Sequence, residues 1–226
     1  MTVPVRSLEF ADTREAADLA AFLGRLLHYD RAAVVRMQAG GGALAVFGRP
    51  PSFEVLAIRT ARLAAPDAFD LTVSAGELLE SLGESTHAGA IPAPVTGPPW
   101  TGVLPPRGGW REQPGLPGPV SLRTAVTAAV AEFRSRDEAL PEDRRTRAER
   151  DLIGREIWSR TVAATRLPLR AVHAAQSLGF LRPAPDFPVA LLAAGSWLRL
   201  RTPFGSIALR GPGGGLGTLA VTVGAG

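Results

Sequence analysis

The sequence predicts an α+β fold: an N-terminal helix plus an antiparallel sheet, a proline- and glycine-rich ordered strap, and a mainly helical C-terminal half with a terminal β-hairpin. Apolar residues recur at helical spacing near the N-terminus, and short apolar runs around glycines follow them. Helical spacing returns after residue 120. We therefore expect an α+β domain over residues 1–90, the strap over residues 91–119, and a helical domain with a C-terminal hairpin over residues 120–226.

The first helix is predicted to begin after Asp12. This residue stands three positions before Glu15, and an aspartate cap with an acid at the third helical position marks a helix start. Apolar side chains then recur every three or four residues up to Tyr29, which predicts an amphipathic helix. They are Leu19, Phe22, Leu23, Leu26 and Leu27. Ahead of the helix, the alternating pair Leu8 and Phe10 predicts a short edge strand.

A β-hairpin is predicted where two apolar runs, residues 32–38 and 43–47, flank the triple glycine at residues 40–42. No Lys-Ser/Thr pair follows the glycines and a β-like run does, which excludes a phosphate-binding loop. Residues 53–63 and 69–73 are predicted to be the next two strands. The tight turns between the middle strands indicate an antiparallel sheet.

The strand at residues 53–63 is predicted to be central because both of its faces are apolar. One face has Phe53, Val55 and Ala57 beside Arg59, and the other has Leu56 and Ile58. Residues 74–77 match a second capping box, which predicts a helix that ends at Gly83.

The strap has nine prolines and six glycines within residues 91–119. That density excludes a helix or a central strand, because proline fixes φ and lacks an N–H donor. Large apolar residues are uncommon in flexible spacers, yet several interrupt this one. They are Trp100, Val103, Leu104, Trp110 and Leu116. We therefore expect the strap to lie across a surface, with both tryptophans at least partly buried.

Four helices are predicted in the C-terminal half from apolar residues at helical spacing. The first begins at Ser121 and stops before Pro141. The second has Pro141 in its first turn and runs to about Thr165. A third covers residues 168–179 and ends at a glycine, and a short fourth covers residues 186–194.

A terminal hairpin is predicted from the alternating runs 196–201 and 206–210 around the turn residues 202–205. After a glycine-rich run, residues 219–223 can add a last strand. Short helices followed by an arginine-bearing hairpin resemble, in element order, a winged helix over residues 141–210. The resemblance is one of order alone, so it assigns no functional residues to this chain.

Residue types exclude several chemistries. The chain has no cysteine, and all 25 basic residues are arginine. Disulfides, thiolate metal sites, cysteine nucleophiles and lysine Schiff bases are therefore excluded. His28, His87 and His173 are scattered, so they form no zinc motif. We predict no metal, no organic cofactor and no catalytic residue, and the sequence favours a protein that is not an enzyme.

Membrane segments are not predicted either. Residues 1–11 contain no apolar core of a secretory signal. The longest apolar run, residues 189–194, is far shorter than the ~20 residues that span a bilayer. We therefore expect a cytoplasmic protein without a membrane partner. No pattern in the sequence predicts an oligomeric state.

Charge is distributed unevenly along the chain. Residues 1–90 have 8 arginines against 11 acids, whereas residues 121–226 have 15 arginines against 9 acids. This asymmetry has two interpretations: the two halves attract each other, or the basic half faces an anionic partner such as a nucleic acid.

Two groups of arginines are candidate binding residues. Alternation along the hairpin strand places Trp197, Arg199 and Arg201 on one face, where they could stack a base and hold phosphate, grip acids of the N-terminal half, or form a solvated Arg–Trp stack. The second group lies where the second helix of this half is predicted to start. It comprises Arg144, Arg145 and Arg147.

Three functions follow as hypotheses. The first is a non-catalytic protein that binds another macromolecule, with a protein as the favoured partner. The second is a nucleic-acid-binding protein that uses its basic C-terminal half. The third is an enzyme with aspartate, glutamate and arginine chemistry in a cleft beneath the strap, between the two halves.

Overall fold

The computed structural model describes residues 7–83 and 87–211. The helices are α1 (Thr13–Tyr29), α2 (Ala75–Gly83), α3 (Pro119–Glu138), α4 (Arg147–Ser159) and α5 (Leu169–Ser177). The strands are β1 (Ser7–Glu9), β2 (Val34–Gly40), β3 (Ala43–Gly48), β4 (Leu56–Arg62), β5 (Phe69–Ser74), β6 (Ala88–Ala90), β7 (Arg111–Gln113), β8 (Ala190–Ala194), β9 (Trp197–Thr202) and β10 (Gly205–Arg210). Short 3₁₀ turns cover Pro99–Gly102 and Glu142–Arg144. The predicted α+β fold class is confirmed.

Eight of the strands form one antiparallel sheet in the order β5-β2-β3-β4-β10-β9-β8-β7. The two halves of the chain meet where β4 pairs with β10, with Ala57 opposite Ile207. Each half supplies a three-stranded meander preceded by a helix, and α1 packs on β4 as α5 packs on β10. The halves therefore share one sheet. The division at residues 90 and 120 remains a prediction.

The helices cover one face of the sheet, here called the helix side. Helix α1 begins where the sequence predicts, since a carboxylate oxygen of Asp12 accepts hydrogen bonds from the backbone N–H groups of Arg14 (2.9 Å) and Glu15 (3.1 Å). On this side, Phe22 of α1 contacts Phe180, which follows α5, with ring centroids 5.5 Å apart. The main hydrophobic core thus includes residues from both halves.

The strap covers part of the opposite face, here called the strap side. Near one edge, the N–H of Val95 donates to the carbonyl of Thr72 in β5 (2.8 Å). At the other edge, β7 pairs with β8. Between them, Trp100, Leu104 and Trp110 pack on a second apolar cluster. That cluster comprises Phe47, Leu56, Ile58, Trp197 and Ala208. The strap is ordered and both of its tryptophans are half-buried, as the sequence predicts.

Strand β8 corrects a prediction, because residues 186–194 were expected to form a short helix. Within β8, Leu191 lies in the helix-side core. Its neighbour Leu192 is also buried, with 7% of its surface exposed. A strand covered on both faces has no alternation of apolar and polar residues, so a short apolar run does not distinguish it from a helix.

The helix expected over residues 141–165 is also wrong in its bounds. A 3₁₀ turn follows Pro141, and α4 begins only after Thr146, whose hydroxyl oxygen accepts from the N–H of Glu149 (3.3 Å). Helix α4 then ends at Ser159. The preceding helix α3 starts at Pro119 with Gly118 as its cap, rather than at Ser121.

The element order that resembles a winged helix is not arranged as one. The hairpin of β9 and β10 lies inside the eight-stranded sheet, between β8 and β4. At the N-terminal end, the predicted edge strand is β1, and it pairs with β6, which the sequence did not predict. The strand expected at residues 219–223 and the glycine run before it lie largely outside the described residues.

Arg59 is a buried cation on the helix side of β4, with 6% of its surface exposed. Its guanidinium contacts carboxylate oxygens of Asp18 (3.0 Å) and Glu15 (3.7 Å) in α1. It also donates to the carbonyl of Phe204 in the turn between β9 and β10 (2.8 Å). This one side chain therefore links both halves of the sheet to α1.

No helix within residues 7–83 and 87–211 is both long enough and apolar enough to cross a bilayer.

His173 provides a test of the packing between the halves. Its half-buried ring in α5 stacks on Trp158 of α4 (4.4 Å between centroids) and meets the edge of Phe53 (5.1 Å). Burial lowers the pKa of His173 below its usual 6.5.

We expect the wild-type protein to lose stability as the pH falls below about 6.5, because the unfolded chain then binds a proton that folded His173 accepts only at lower pH. The stability that His173 contributes is therefore present above the unfolded pKa and is lost as the pH falls through the folded one. Thermal melts at pH 8, 7, 6 and 5 should show a larger fall in Tm for wild type than for His173→Phe. An equal fall in Tm with pH in wild type and His173→Phe would contradict this role of His173. His28 and His87 are common to both proteins and therefore cannot cause a difference.

Candidate functional site

Strand β9 brings two of the predicted binding residues beneath the strap. Trp197, Arg199 and Arg201 all lie on the strap side, as their alternation indicates. The indole of Trp197 is buried in the strap-side cluster, with the guanidinium of Arg210 5.4 Å from its ring centroid. Arg201 is exposed. The strap thus covers Trp197 and Arg199 and leaves Arg201 exposed.

Arg199 is a half-buried cation without a carboxylate partner in the described part of the chain. One terminal nitrogen, Nη2, donates to the hydroxyl of Ser206 in β10 (2.8 Å). Its Nε is buried and has no hydrogen-bond partner among the described residues. The guanidinium also lies 5.7 Å from the ring centroid of Trp110 in the strap. Burial, and next the charge of Arg201, lowers the pKa of Arg199.

A cavity of about 260 Å³ opens beside Arg199, between the strap and the β2–β3 hairpin; we call it the Arg199 cleft. Its floor is apolar and belongs to β3 and β4, and its outer wall is Pro105, Pro106 and Arg107 of the strap. The lining residues are Gln38, Ala39, Gly40, Ala43, Leu44, Ala45, Phe47, Ile58, Thr60, Pro105, Pro106, Arg107 and Arg199.

A second cavity of about 310 Å³ lies on the same face, and we call it the Trp197 cleft. Strap residues 99–103 form one wall of it. Leu56 and Ala208 of the strap-side cluster contribute to its lining, as does Arg210. The strap therefore crosses the sheet with a cavity on either side.

An ion pair on β2 fixes the strap beside the Arg199 cleft. The guanidinium of Arg36 donates to both carboxylate oxygens of Asp70 in β5 (2.7 and 2.8 Å) and to the carbonyl of Thr101 in the strap. The amide of Gln38 donates to the same carboxylate (2.9 Å). Chiefly through the Arg36 hydrogen bond, the pKa of Asp70 is held below its usual range.

Solved structures that resemble this chain include a DNA polymerase III beta subunit and two structures of a sliding clamp. A candidate DNA polymerase III beta subunit from Eubacterium rectale ATCC 33656 aligns with a TM-score of 0.58 at 5% identity, over 90% of this chain and 64% of that one. A DNA polymerase sliding clamp from Pseudomonas aeruginosa, solved with a ligand, aligns with a TM-score of 0.51 at 13% identity, over 97% and 68%. Another structure of that clamp gives 0.51 at 12% identity, over 94% and 65%. The fold is similar to that of sliding clamps.

The chain spans about two thirds of the length of these clamp chains, 64–68%. Residues 3–102 match the family model described as Domain of unknown function (DUF8010), and residues 105–214 match Domain of unknown function (DUF8185). The two matched ranges meet inside the strap, on either side of Val103 and Leu104. No curated protein matches the sequence.

The second predicted group lies elsewhere in this clamp-like fold, in and after the loop between α3 and α4. Arg144 pairs with Glu149 of α4. Arg145 donates to the carbonyls of Leu140 (3.0 Å) and Glu138 (3.0 Å), which closes the end of α3. The side chain of Arg147 is 95% exposed, and its nearest carboxylate among the described residues, that of Asp151, is 3.9 Å away. The structure therefore does not join this group to Arg199.

Ion pairs neutralise much of the positive charge on α3 and α4. Arg136 and Arg160 both contact Glu132 and Glu156. Hydrogen bonds from Arg136, and next from Arg160, lower the pKa of Glu156 to about 2. Four arginines on α3, on α4 and in the loop that follows α4 have no ion pair within residues 7–83 and 87–211. They are Arg123, Arg134, Arg155 and Arg166.

Sequence patterns identified Arg199 but none of the other residues that line the Arg199 cleft. A signal for two of them existed. Ile58 and Phe47 face away from α1 and are apolar, so they require a cover, and the apolar strap residues provide one. Groups of three or more histidine, aspartate or glutamate side chains that could hold a metal ion do not occur among the described residues.

Proposed function

We propose that this protein is non-catalytic and works by binding another protein through the strap side of its sheet. The observation that supports the proposal best is the strap-side surface itself. It combines half-buried or buried tryptophans at Trp100, Trp110 and Trp197 with Arg199, beside two cavities. Tryptophan and arginine are the residue types that most often dominate the binding energy of protein interfaces.

The charge pattern on this face also favours a protein partner over a nucleic acid. A nucleic-acid backbone presents phosphates at regular intervals, and its binding depends on a series of cations. Only Arg107 and Arg199 are cationic among the residues that line the Arg199 cleft, and most of the remaining lining is apolar. Apolar walls with few charges match a peptide or a protein loop better.

Nucleic-acid binding remains the second candidate, and the four arginines without ion pairs on or after α3 and α4 favour it. Two of the similar solved structures are named DNA polymerase sliding clamp and one is named DNA polymerase III beta subunit, which adds support for a macromolecular partner. Salt dependence would identify this function, since each phosphate neutralised on duplex DNA gives a slope of about −0.9 in log K against log salt.

The enzyme hypothesis receives less support. Catalytic acids at neutral pH need a raised pKa, whereas the pKa values of Asp70, Glu132 and Glu156 are lowered by their arginine partners. A cytoplasmic location remains part of the proposal.

Site-specific photo-cross-linking tests the proposed function. We expect a photoreactive phenylalanine at Val103, which is 45% exposed beside the Trp197 cleft, to form an adduct with one protein in cells. The matched control is the same residue at Leu152 of α4, which is 54% exposed on the helix side of the molecule. The adduct should re-form with the purified partner and disappear in Trp197→Ala.

Two results would contradict the proposal. One is an adduct with nucleic acid from position 152 and none from position 103. The other is protein adducts from both positions that Trp197→Ala leaves unchanged, because they would reflect non-specific encounter.

A further inference from the structure

Arg199 is a half-buried cation of the strap side that lacks a carboxylate partner among the described residues. A guanidinium stays charged at all accessible pH values, so burying it without a counter-charge is unfavourable. Arg59 and Arg170, the other two described arginines with a buried Nε that has no hydrogen-bond partner, each have a carboxylate within 4.0 Å. The hydrogen-bond partner of Arg199 among the described residues is a neutral hydroxyl, that of Ser206, and its other contact is the uncharged ring of Trp110.

The side chain of Arg199 forms part of the lining of the Arg199 cleft. Its Nη2 donates to Ser206, and its buried Nε has no hydrogen-bond partner among the described residues. Phe47 and Ile58 supply an apolar floor next to the charge. A ligand that fills this cavity therefore needs an anionic group with hydrogen-bond acceptors and an aliphatic or aromatic part beside it.

We propose that the Arg199 cleft binds a carboxylate of a peptide segment, with Arg199 as the receptor for the carboxylate and the apolar floor as the receptor for a neighbouring side chain. The inference rests on the proposed protein-binding function and specifies its partner as an acidic, apolar segment. A planar carboxylate matches the guanidinium fork, and such charge-assisted hydrogen bonds are stronger than neutral ones.

The dimensions of the cleft favour a peptide carboxylate over the phosphate of a nucleic acid. A cavity of about 260 Å³ holds one or two side chains.

Short peptides test the inference directly. The probes are an acetylated, amidated tetrapeptide of three leucines and one aspartate, the same peptide with asparagine, and an acetylated trileucine with a free terminal carboxylate. Binding is followed by NMR through the arginine Nε–H and tryptophan indole signals. We expect the aspartate or the free-carboxylate peptide to bind about ten- to hundredfold more tightly than the asparagine peptide, and to shift the Arg199 Nε–H signal.

Arg199→Gln should abolish that preference, and Arg201→Gln is the matched control that should keep it, since Arg201 is exposed on the same strand face. Preference for the aspartate peptide assigns the site to side-chain carboxylates, and preference for the free terminus assigns it to a C-terminus. Arg199→Gln could also destabilise the fold, which a fall in Tm of more than a few degrees would show. In that case the inference is tested on wild type alone, by the affinities of the aspartate and asparagine peptides and by the shift of the Arg199 Nε–H signal.

Three results would overturn the inference. Equal affinities for the aspartate and asparagine peptides, with shifts of the Trp110 indole signal, would be consistent with protein binding but would contradict recognition of a carboxylate. Tighter binding of inorganic phosphate or a thymidine oligonucleotide, lost in Arg199→Gln, would replace the peptide by a nucleic acid. No binding of any peptide, together with no protein adduct from position 103, would remove the proposed function as well.

Discussion

Phe180→Ala is expected to lower the free energy of unfolding by about 3–5 kcal/mol, the range found when a large buried side chain is truncated in a core. Phe180 is 2% exposed and follows α5. It contacts the Phe22 ring of α1, and a β-carbon at Gly205 of β10 would lie only 2.6 Å from its ring. Truncation should therefore leave a cavity where both halves of the chain meet. Chemical denaturation followed by circular dichroism would measure the loss.

The unfolding of Phe180→Ala should remain a single transition, because β4 and β10 tie both halves into one sheet. Phe187→Ala is the matched control. That ring is half-buried and stacks on Phe204 (5.9 Å), so its removal should cost about 1 kcal/mol. Two separated transitions in Phe180→Ala, or a loss no greater than that of the control, would show that the halves do not share a core there.

Arg59→Met is expected to cost about 2–3 kcal/mol of unfolding free energy. Removing one member of a buried ion pair leaves the other charge without its partner, which costs ~3–5 kcal/mol when both are fully buried. The carboxylate of Asp18 keeps 38% of its side-chain surface exposed, so water offsets part of the loss. The backbone carbonyl of Phe204 would also lose its donor. Urea denaturation at pH 7 is the appropriate measurement.

Arg62 offers a control on the same strand. Its side chain is 70% exposed and pairs with Glu15 (2.8 Å) and Asp12 (3.1 Å) of α1. Arg62→Met should cost less than about 1 kcal/mol, as exposed ion pairs usually do. Equal effects from the two substitutions would mean that burial adds nothing to the Arg59 interaction.

Local patterns were enough to predict most elements of the N-terminal half. The Asp12 cap, the triple glycine and the two-sided apolar strand at residues 53–63 each reflect interactions between residues close in sequence. The pairing of β4 with β10 joins residues about 150 positions apart, and no local pattern specifies a partner at that distance. The prediction of a helix at β8 failed for a related reason, because residues distant in sequence cover both faces of this strand.

The candidate site was predicted in part for the same reason. Alternation identified the shared face of Trp197, Arg199 and Arg201, because it depends only on the pleat of one strand. It could not indicate that the strap covers the first two and leaves the third exposed. That cover depends on contacts such as the one between Arg36 and the Thr101 carbonyl, which joins β2 to a segment without regular structure.

The strap also covers both edges of the eight-stranded sheet. Exposed edge strands present unpaired N–H and C=O groups that can recruit strands from other molecules, and apolar edges do so most readily. Here a single segment occupies both edges: Val95 bonds to β5, and the short, charged strand β7 covers the apolar strand β8. Without the strap, Leu191 and Leu192 would lie on an open edge. A stretch rich in structure-breaking residues thereby protects this protein against intermolecular strand pairing and aggregation.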